Sequence, residues 1–361
     1  MTSPYSNLPK RAFWRPAVAD RHIADFEDVA VGPFYRPDDK IATAGSCFAQ
    51  HIGRNLRKRG VGYLDLEPAP SGCTPEEAHR HGFGIFSCRY GNIYTVRQLL
   101  QLFQEAFELR IPADFVWEKE GRFWDALRPG VDPVGHTRAE DIWALREVHL
   151  TKVQELFETA TLFVFTLGLT EAWESIEDET VFPTAPGTIA GTFDAQKYRF
   201  HNFRYPEIAA DLELLWIMMR EVNPSIRMLL TVSPVPLTAT ASDDHVLVAT
   251  TQSKATLRAI AGDFAATHED ISYFPSYELI STHPIRGQFF NPDLRNVNDA
   301  GVDYVMSHFF GGSTFPDSDT PVKHVASAKT PAPASAPPAT AEEDDLELIC
   351  EEGLLDQFAE A

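Results

Sequence analysis

The sequence is short of cysteine and of basic residues, and it contains no long apolar run. Its four cysteines, Cys47, Cys73, Cys88 and Cys350, show no paired metal-ligand spacing, and a chain of 361 residues needs no disulfide scaffold. His79 and His81 with Cys73 and Cys88 lack the regular spacing of a zinc site, so no metal and no cofactor is expected. Lys and Arg number 31 against 52 Asp and Glu, a formal charge of −21, which argues against sequence-independent binding to nucleic-acid phosphates. Residues 1–20 carry Lys10, Arg11 and Arg15 with no apolar stretch behind them, so neither a signal peptide nor a membrane span is expected. These absences leave a cytoplasmic protein with free thiols as the expectation.

What is present is an apolar and aromatic body followed by a different kind of tail. Residues 1–40 read as an arm. Pro4, Pro9, Pro16, Pro33 and Pro37 deny it long helices, while Phe13, Trp14, Phe26, Phe34 and Tyr35 supply surface to bury against the body. Residues 41–312 read as one α/β domain. Apolar strands at 41–45, 161–167, 226–232 and 271–274 alternate with helical patterns at 139–159, 206–221, 244–267 and 298–309. Residues 61–66 read as a further strand and 174–205 as an irregular segment. The alternation predicts a parallel sheet with helices on both faces. The stretch 67–137 is too long for a plain connection and reads as an insertion over the sheet, with a helix starting at the N-cap Thr95. Residues 313–341, dense in Pro, Ala, Ser and Thr, read as a disordered linker. Residues 342–361 mix acidic and apolar side chains as a short docking motif for a protein partner does, and truncation after Gly312 is expected to leave melting temperature and solubility nearly unchanged while weakening binding to that partner.

The stretch 41–51 organises the rest. A short apolar run ends in the small residues Ala44, Gly45 and Ser46, and helical spacing begins at once with Cys47, Phe48, Ile52 and Leu56. Ser46 then stands at the carboxyl end of a strand, where open α/β sheets place ligands, and at a helix amino terminus, which favours developing negative charge. That suits a nucleophile whose own N–H helps hold an oxyanion. It equally suits a helix N-cap. Gly-x-Ser-x-Gly is absent, which removes the nucleophile elbow as a model.

Gly45-Ser46-Cys47-Phe48-Ala49 resembles the motif of the GSCFA family, a branch that looks similar to the SGNH hydrolases. The resemblance continues in order through Arg89-Tyr90-Gly91-Asn92-Ile93-Tyr94-Thr95, Leu167-Gly168-Leu169-Thr170-Glu171-Ala172-Trp173, Thr231-Val232-Ser233-Pro234-Val235 and Tyr273-Phe274-Pro275-Ser276-Tyr277-Glu278. It implies a three-layer SGNH/flavodoxin-like sheet with long insertions. It also implies a serine enzyme with oxyanion donors on two further loops, and a carboxylate and histidine three residues apart near the C-terminus. Gly91 and Asn92 match the second loop, although a tight turn would use them equally well. Gly168, Thr170 and Glu171 match the third, with Thr170 where the superfamily commonly has Asn.

The largest departure is at the last motif. Asp293 is present, but Asn296 occupies the histidine position, and an amide cannot accept and release a proton near neutral pH. His283, in the same loop, and His201, after the third motif, are the replacement bases to consider; His245 is a third, and His51 reads as structural. Two functions follow as expectations. One is an esterase or O-acyltransferase acting through a Ser46 acyl-enzyme on an acylated small molecule or glycan, with Asp293 orienting a histidine and Ser46 N–H, Gly91 and Thr170 holding the oxyanion. The other is a catalytically degenerate module that binds a glycan, acyl carrier or protein.

Overall fold

Ile41–Gly45 (β1) sends alternate side chains into two apolar layers, and this alternation sets the architecture. Ile41 joins a core with Leu162, Val164, Leu229 and Phe274, while Ala42 and Ala44 join another with Phe163, Phe165, Met228 and Leu230. Strands buried on both faces must be apolar at every position, which is why they read as continuous runs.

The computed structural model describes residues 3–311 and 348–359. From β1 the chain passes through Ala49–Lys58 (α1), Pro75–Arg80 (α2), Val96–Ala106 (α3) and the hairpin Val116–Lys119 (β2) with Arg122–Asp125 (β3). Ala139–Thr159 (α4) leads to Leu162–Leu167 (β4), followed by Glu171–Ser175 (β5), Val181–Phe182 (β6) and Tyr198–Asn202 (β7). Tyr205–Val222 (α5), Arg227–Val232 (β8), Val246–Thr267 (α6), Ile271–Phe274 (β9), Ser276–Ser281 (α7) and Asp299–Gly311 (α8) complete the body. The central sheet runs β1-β4-β8-β9 with every pair parallel. Helices α3, α4, α5 and α6 cover the Ala42 face, and α1, α7 and α8 cover the Ile41 face. Phe26 and Phe34 of the first forty residues are buried in that second core, and Tyr304 donates to the Ile23 carbonyl at 2.7 Å.

Two elements differ from the sequence reading. Residues 61–66 make only one bridge to the sheet edge, between Tyr63 and Ile41, because Gly62 takes a positive φ that breaks the extended run. Residues 174–205 are not irregular throughout, since β5 pairs antiparallel with β6 and β7. Those strands are short and separated by proline and glycine, so no period was long enough to read. The stretch 313–341, expected as a linker, lies outside the described residues. Among the described residues no helix is long and apolar enough to cross a membrane.

Candidate active site

Three loops meet where β1 and β4 end. Gly45 lies so tightly on β4 that a Cβ there would stand 2.5 Å from the Thr166 carbonyl oxygen, and its φ of 141° excludes other residues. Its own carbonyl accepts from Ile93 N–H at 2.9 Å, which ties in the second loop. Gly168 N–H and Leu169 N–H both donate to Tyr94 O, at 3.1 and 2.9 Å, which ties the third loop to the second. A Cβ on Gly168 would stand 2.9 Å from Ser46 Cβ, so only glycine lets that backbone approach the serine.

Ser46 is buried, and its hydroxyl has no hydrogen-bond partner among the described residues. It does not cap α1, whose N-cap position is held by Phe48 with no side-chain cap bond. Its N–H donates to Thr166 O at 3.3 Å and so is already engaged, unlike the oxyanion donor expected from the sequence. Thr170 is likewise engaged: its hydroxyl donates to Asn202 Oδ1 at 2.8 Å and its N–H to Ser253 Oγ at 3.1 Å. Glu171 accepts from Thr240 at 2.8 Å, and burial pushes its carboxyl up.

The cleft beside Ser46 is occupied by the chain's own residues 348–359. Ile349 O accepts from Gln50 Nε2 at 2.6 Å and from Asn92 Nδ2 at 2.9 Å, and Ile349 N–H donates back to Gln50 Oε1 at 3.2 Å. Glu351 accepts from Asn92 Nδ2 and from Tyr94 OH, the latter at 3.0 Å, and its carboxylate lies over Gly91. Glu352 accepts from Thr238 N–H at 3.1 Å and pairs with Arg295 at 3.3 Å. The sulfur of Cys350 lies 3.7 Å from the same guanidinium. Residues Leu355 and Phe358 then close one side of a cavity of about 560 Å³ whose wall includes Leu169, Trp173, Phe182, Phe193, Phe200 and Leu237.

The expected bases are elsewhere. His283 is exposed and stacks on Trp14, with ring centroids 5.4 Å apart. His201 sits between Glu174 at 3.0 Å and Glu207 at 3.1 Å and stacks on Phe203. His245 caps α6 by accepting from Leu247 N–H, and His51 packs against Phe48, where burial pulls its imidazole down to about 4. Asp293 and Asn296 are exposed and bonded to each other at 2.6 Å, while Arg295 between them turns inward to the cleft.

Sequence reasoning missed Gln50, Lys254 and Arg295. Gln50 directly follows the first motif, in the first turn of α1, and is fully buried there. Lys254 is buried, donates to Gly168 O at 2.7 Å, and is pushed down to about 8 by burial despite the nearby Glu352. It stands on the stripe formed by Leu257, Ile260, Ala261 and Phe264, and a lysine on the apolar face of a helix is the signal that could have found it. Burial outweighs the Arg295 partner for Glu352, whose carboxyl is pushed up to about 7. The cleft therefore holds carbonyl and carboxylate oxygens with side-chain amides, a phenol and two cations, next to an unpartnered serine hydroxyl.

Residues 40–309 match the GSCFA family model. No curated protein sequence matches the chain. The family match spans the whole parallel sheet, the insertion and the loop carrying Asp293, well over half of the chain, and the chain belongs to the GSCFA family.

Proposed function

We propose that this chain transfers or hydrolyses acyl groups of esters through Ser46, in the manner of an SGNH-type serine esterase or O-acyltransferase. The observation that carries the reading is the buried, unpartnered Ser46 hydroxyl at the carboxyl edge of the sheet, beside two amide groups that hold a carbonyl oxygen. In this reading an ester carbonyl replaces that of Ile349 on Gln50 and Asn92. Ser46 Oγ bonds to the acyl carbon as its proton passes to a base, and the alcohol leaves with a proton. Water or an acceptor hydroxyl then releases the acyl group. Lys254 is the candidate proton acceptor, because it rests on Gly168, which packs against Ser46, and because burial brings its ammonium close to losing its charge near neutral pH. The family resemblance supports a carbohydrate acceptor, and the half-buried Trp173 with Phe193 and Phe200 lines the adjoining cavity.

A second reading has its own support. No titratable group touches Ser46 Oγ among the described residues, and the Asp293–Asn296 pair faces solvent. These favour a family member that binds carboxylate or carbonyl groups without turning them over. A fluorophosphonate probe separates the two. Labelling of the full chain that Ser46→Ala abolishes and Lys254→Met slows at least tenfold supports the enzyme. No labelling, even after residues 312–361 are removed, supports the binding module.

A further inference from the structure

We propose that the cleft beside Ser46 takes esters whose acyl part carries a carboxylate, and that Ile349 to Glu352 of the C-terminal segment are an internal mimic of such a ligand. As a substrate class this rests on the serine reading; as an anion site it stands without it. The body meets both glutamates of the segment with donors. Glu351 accepts from Asn92 Nδ2 and from Tyr94 OH, the latter at 3.0 Å, while Glu352 accepts from Thr238 N–H at 3.1 Å and pairs with Arg295 at 3.3 Å. That is the single ion pair of Arg295 among the described residues, and its Nε is buried with no partner among them.

The seat of Glu351 is built to the shape of a carboxylate. Asn92 and Tyr94 are buried, and Asn92 Oδ1 accepts from Gln50 Nε2 at 3.2 Å, which turns the amide nitrogen towards the segment. Burial pushes the Tyr94 phenol well up, so it stays a donor at neutral pH. Gly130, in the turn Pro129–Val131, closes the seat: the three atoms nearest to a Cβ there all belong to Glu351, with Cδ and Cγ at 3.1 and 3.2 Å. A single methyl group at 130 would therefore occupy the place of the carboxylate. Ile349 O and the Glu351 carboxylate share one donor nitrogen, Asn92 Nδ2. The two oxygens are then no more than two hydrogen-bond lengths apart, a span that the short methylene chain of a dicarboxylic half-ester covers. Such a half-ester sets its ester carbonyl on Gln50 and Asn92, where that of Ile349 lies, and its carboxylate against Tyr94 and Gly130.

The test uses the full chain carrying Glu351→Ala, which frees the seat and keeps the rest of the segment. Monomethyl glutarate is titrated in and its methyl signal read by saturation-transfer NMR, with methyl butyrate as the ester that lacks the carboxylate. The half-ester should bind about tenfold or more tighter than methyl butyrate, and about tenfold or more tighter than it binds the unsubstituted chain. Adding Gly130→Ala should abolish that binding at an unchanged melting temperature, and adding Tyr94→Phe instead should weaken it several-fold. Equal binding of the two esters, or half-ester binding that survives Gly130→Ala, overturns the proposal. Carboxylate-dependent binding in a chain whose Ser46 is never labelled by fluorophosphonate keeps the anion site and removes the serine reading. Labelling of Ser46 without such binding removes the anion site alone.

Discussion

Asp293 and Asn296 occupy the places of an orienting carboxylate and its base, yet their side chains bond each other at the surface while Arg295 takes the inward position. Burial pushes the Asp293 carboxyl up, but the backbone N–H groups of Arg295 and Asn296, the Asn296 amide and the Arg295 charge together hold it below the usual carboxylate range. The loop is thus closed on itself, and an imidazole at 296 would join an exposed pair with no contact to Ser46. Asn296→His should therefore change the Ser46 labelling rate by less than about twofold. General-base assistance is typically worth ~10²–10⁴-fold, so a rise of that size would show that this loop reaches the serine after all.

At the scale of elements, the insertion is joined to the body by a buried charge network. Arg146 of α4 pairs with Glu105 of α3 and with Asp125 of β3 at 3.1 Å, and Arg128 pairs with Asp125 at 2.7 Å. The two arginines hold Asp125 down to about 2 although burial opposes them. Arg146→Met removes one side of the network and leaves two carboxylates in the interior. The expected loss is about 3–5 kcal/mol by urea denaturation, since an unpaired buried charge is far worse than no pair.

The C-terminal segment is the other element with a clear pH signature. Facing Glu352 are Arg295, Lys254, Cys350, Cys47 and the Thr238 N–H. Its carboxyl titrates near 7 when docked and near the ordinary 4.5 when free, so the docked state binds more protons between those values. Burial pushes Glu351 the same way. Cys350 has the opposite sign, because docking favours its thiolate, and Lys254 titrates above this window. In Cys350→Ser, docking should strengthen as pH falls from about 7 towards 4.5, by on the order of a hundredfold, and level off below. A fluorine label on Phe358 reads docked and free populations by NMR, and Glu352→Gln should flatten the profile. A population that does not change with pH would show that Glu352 keeps its charge when docked.

For the whole molecule, the cleft is completed by a segment that lies far away in sequence. Truncation after Gly311 leaves Arg295 without Glu352 and Asn92 and Gln50 without their carbonyl. Each such hydrogen bond is worth about 1 kcal/mol net, and ordering the segment opposes the gain. A docking term of about 1–2 kcal/mol would lower the melting temperature by about 2–8 °C on truncation. The same truncation should speed Ser46 labelling. An unchanged melting temperature with unchanged labelling would mean that the segment spends little time in the cleft.

By itself the sequence determined the layered α/β body. Parallel strands covered on both faces must be apolar throughout, so 161–167 and 226–232 stand out as runs, and Thr95 announces α3 by the bond its hydroxyl can make to Gln98 N–H. Ser46 was legible as a strand-to-helix junction because small residues and a change of period mark such a place. What only the tertiary structure decided is who faces whom. The Ser46 N–H goes to Thr166, the Thr170 hydroxyl goes to Asn202, Arg295 turns inward where Asp293 turns out, and Ile349 lands on Gln50 and Asn92. Composition marked the tail as a docking motif for a protein partner, because its acidic and apolar residues cannot form a core alone, and it gave no sign of the chain's own cleft. Its match to the chain's own cleft depends on donors from α1, the second loop, α6 and the Arg295 loop, which no local pattern relates and which become neighbours only when the sheet brings its strand ends together.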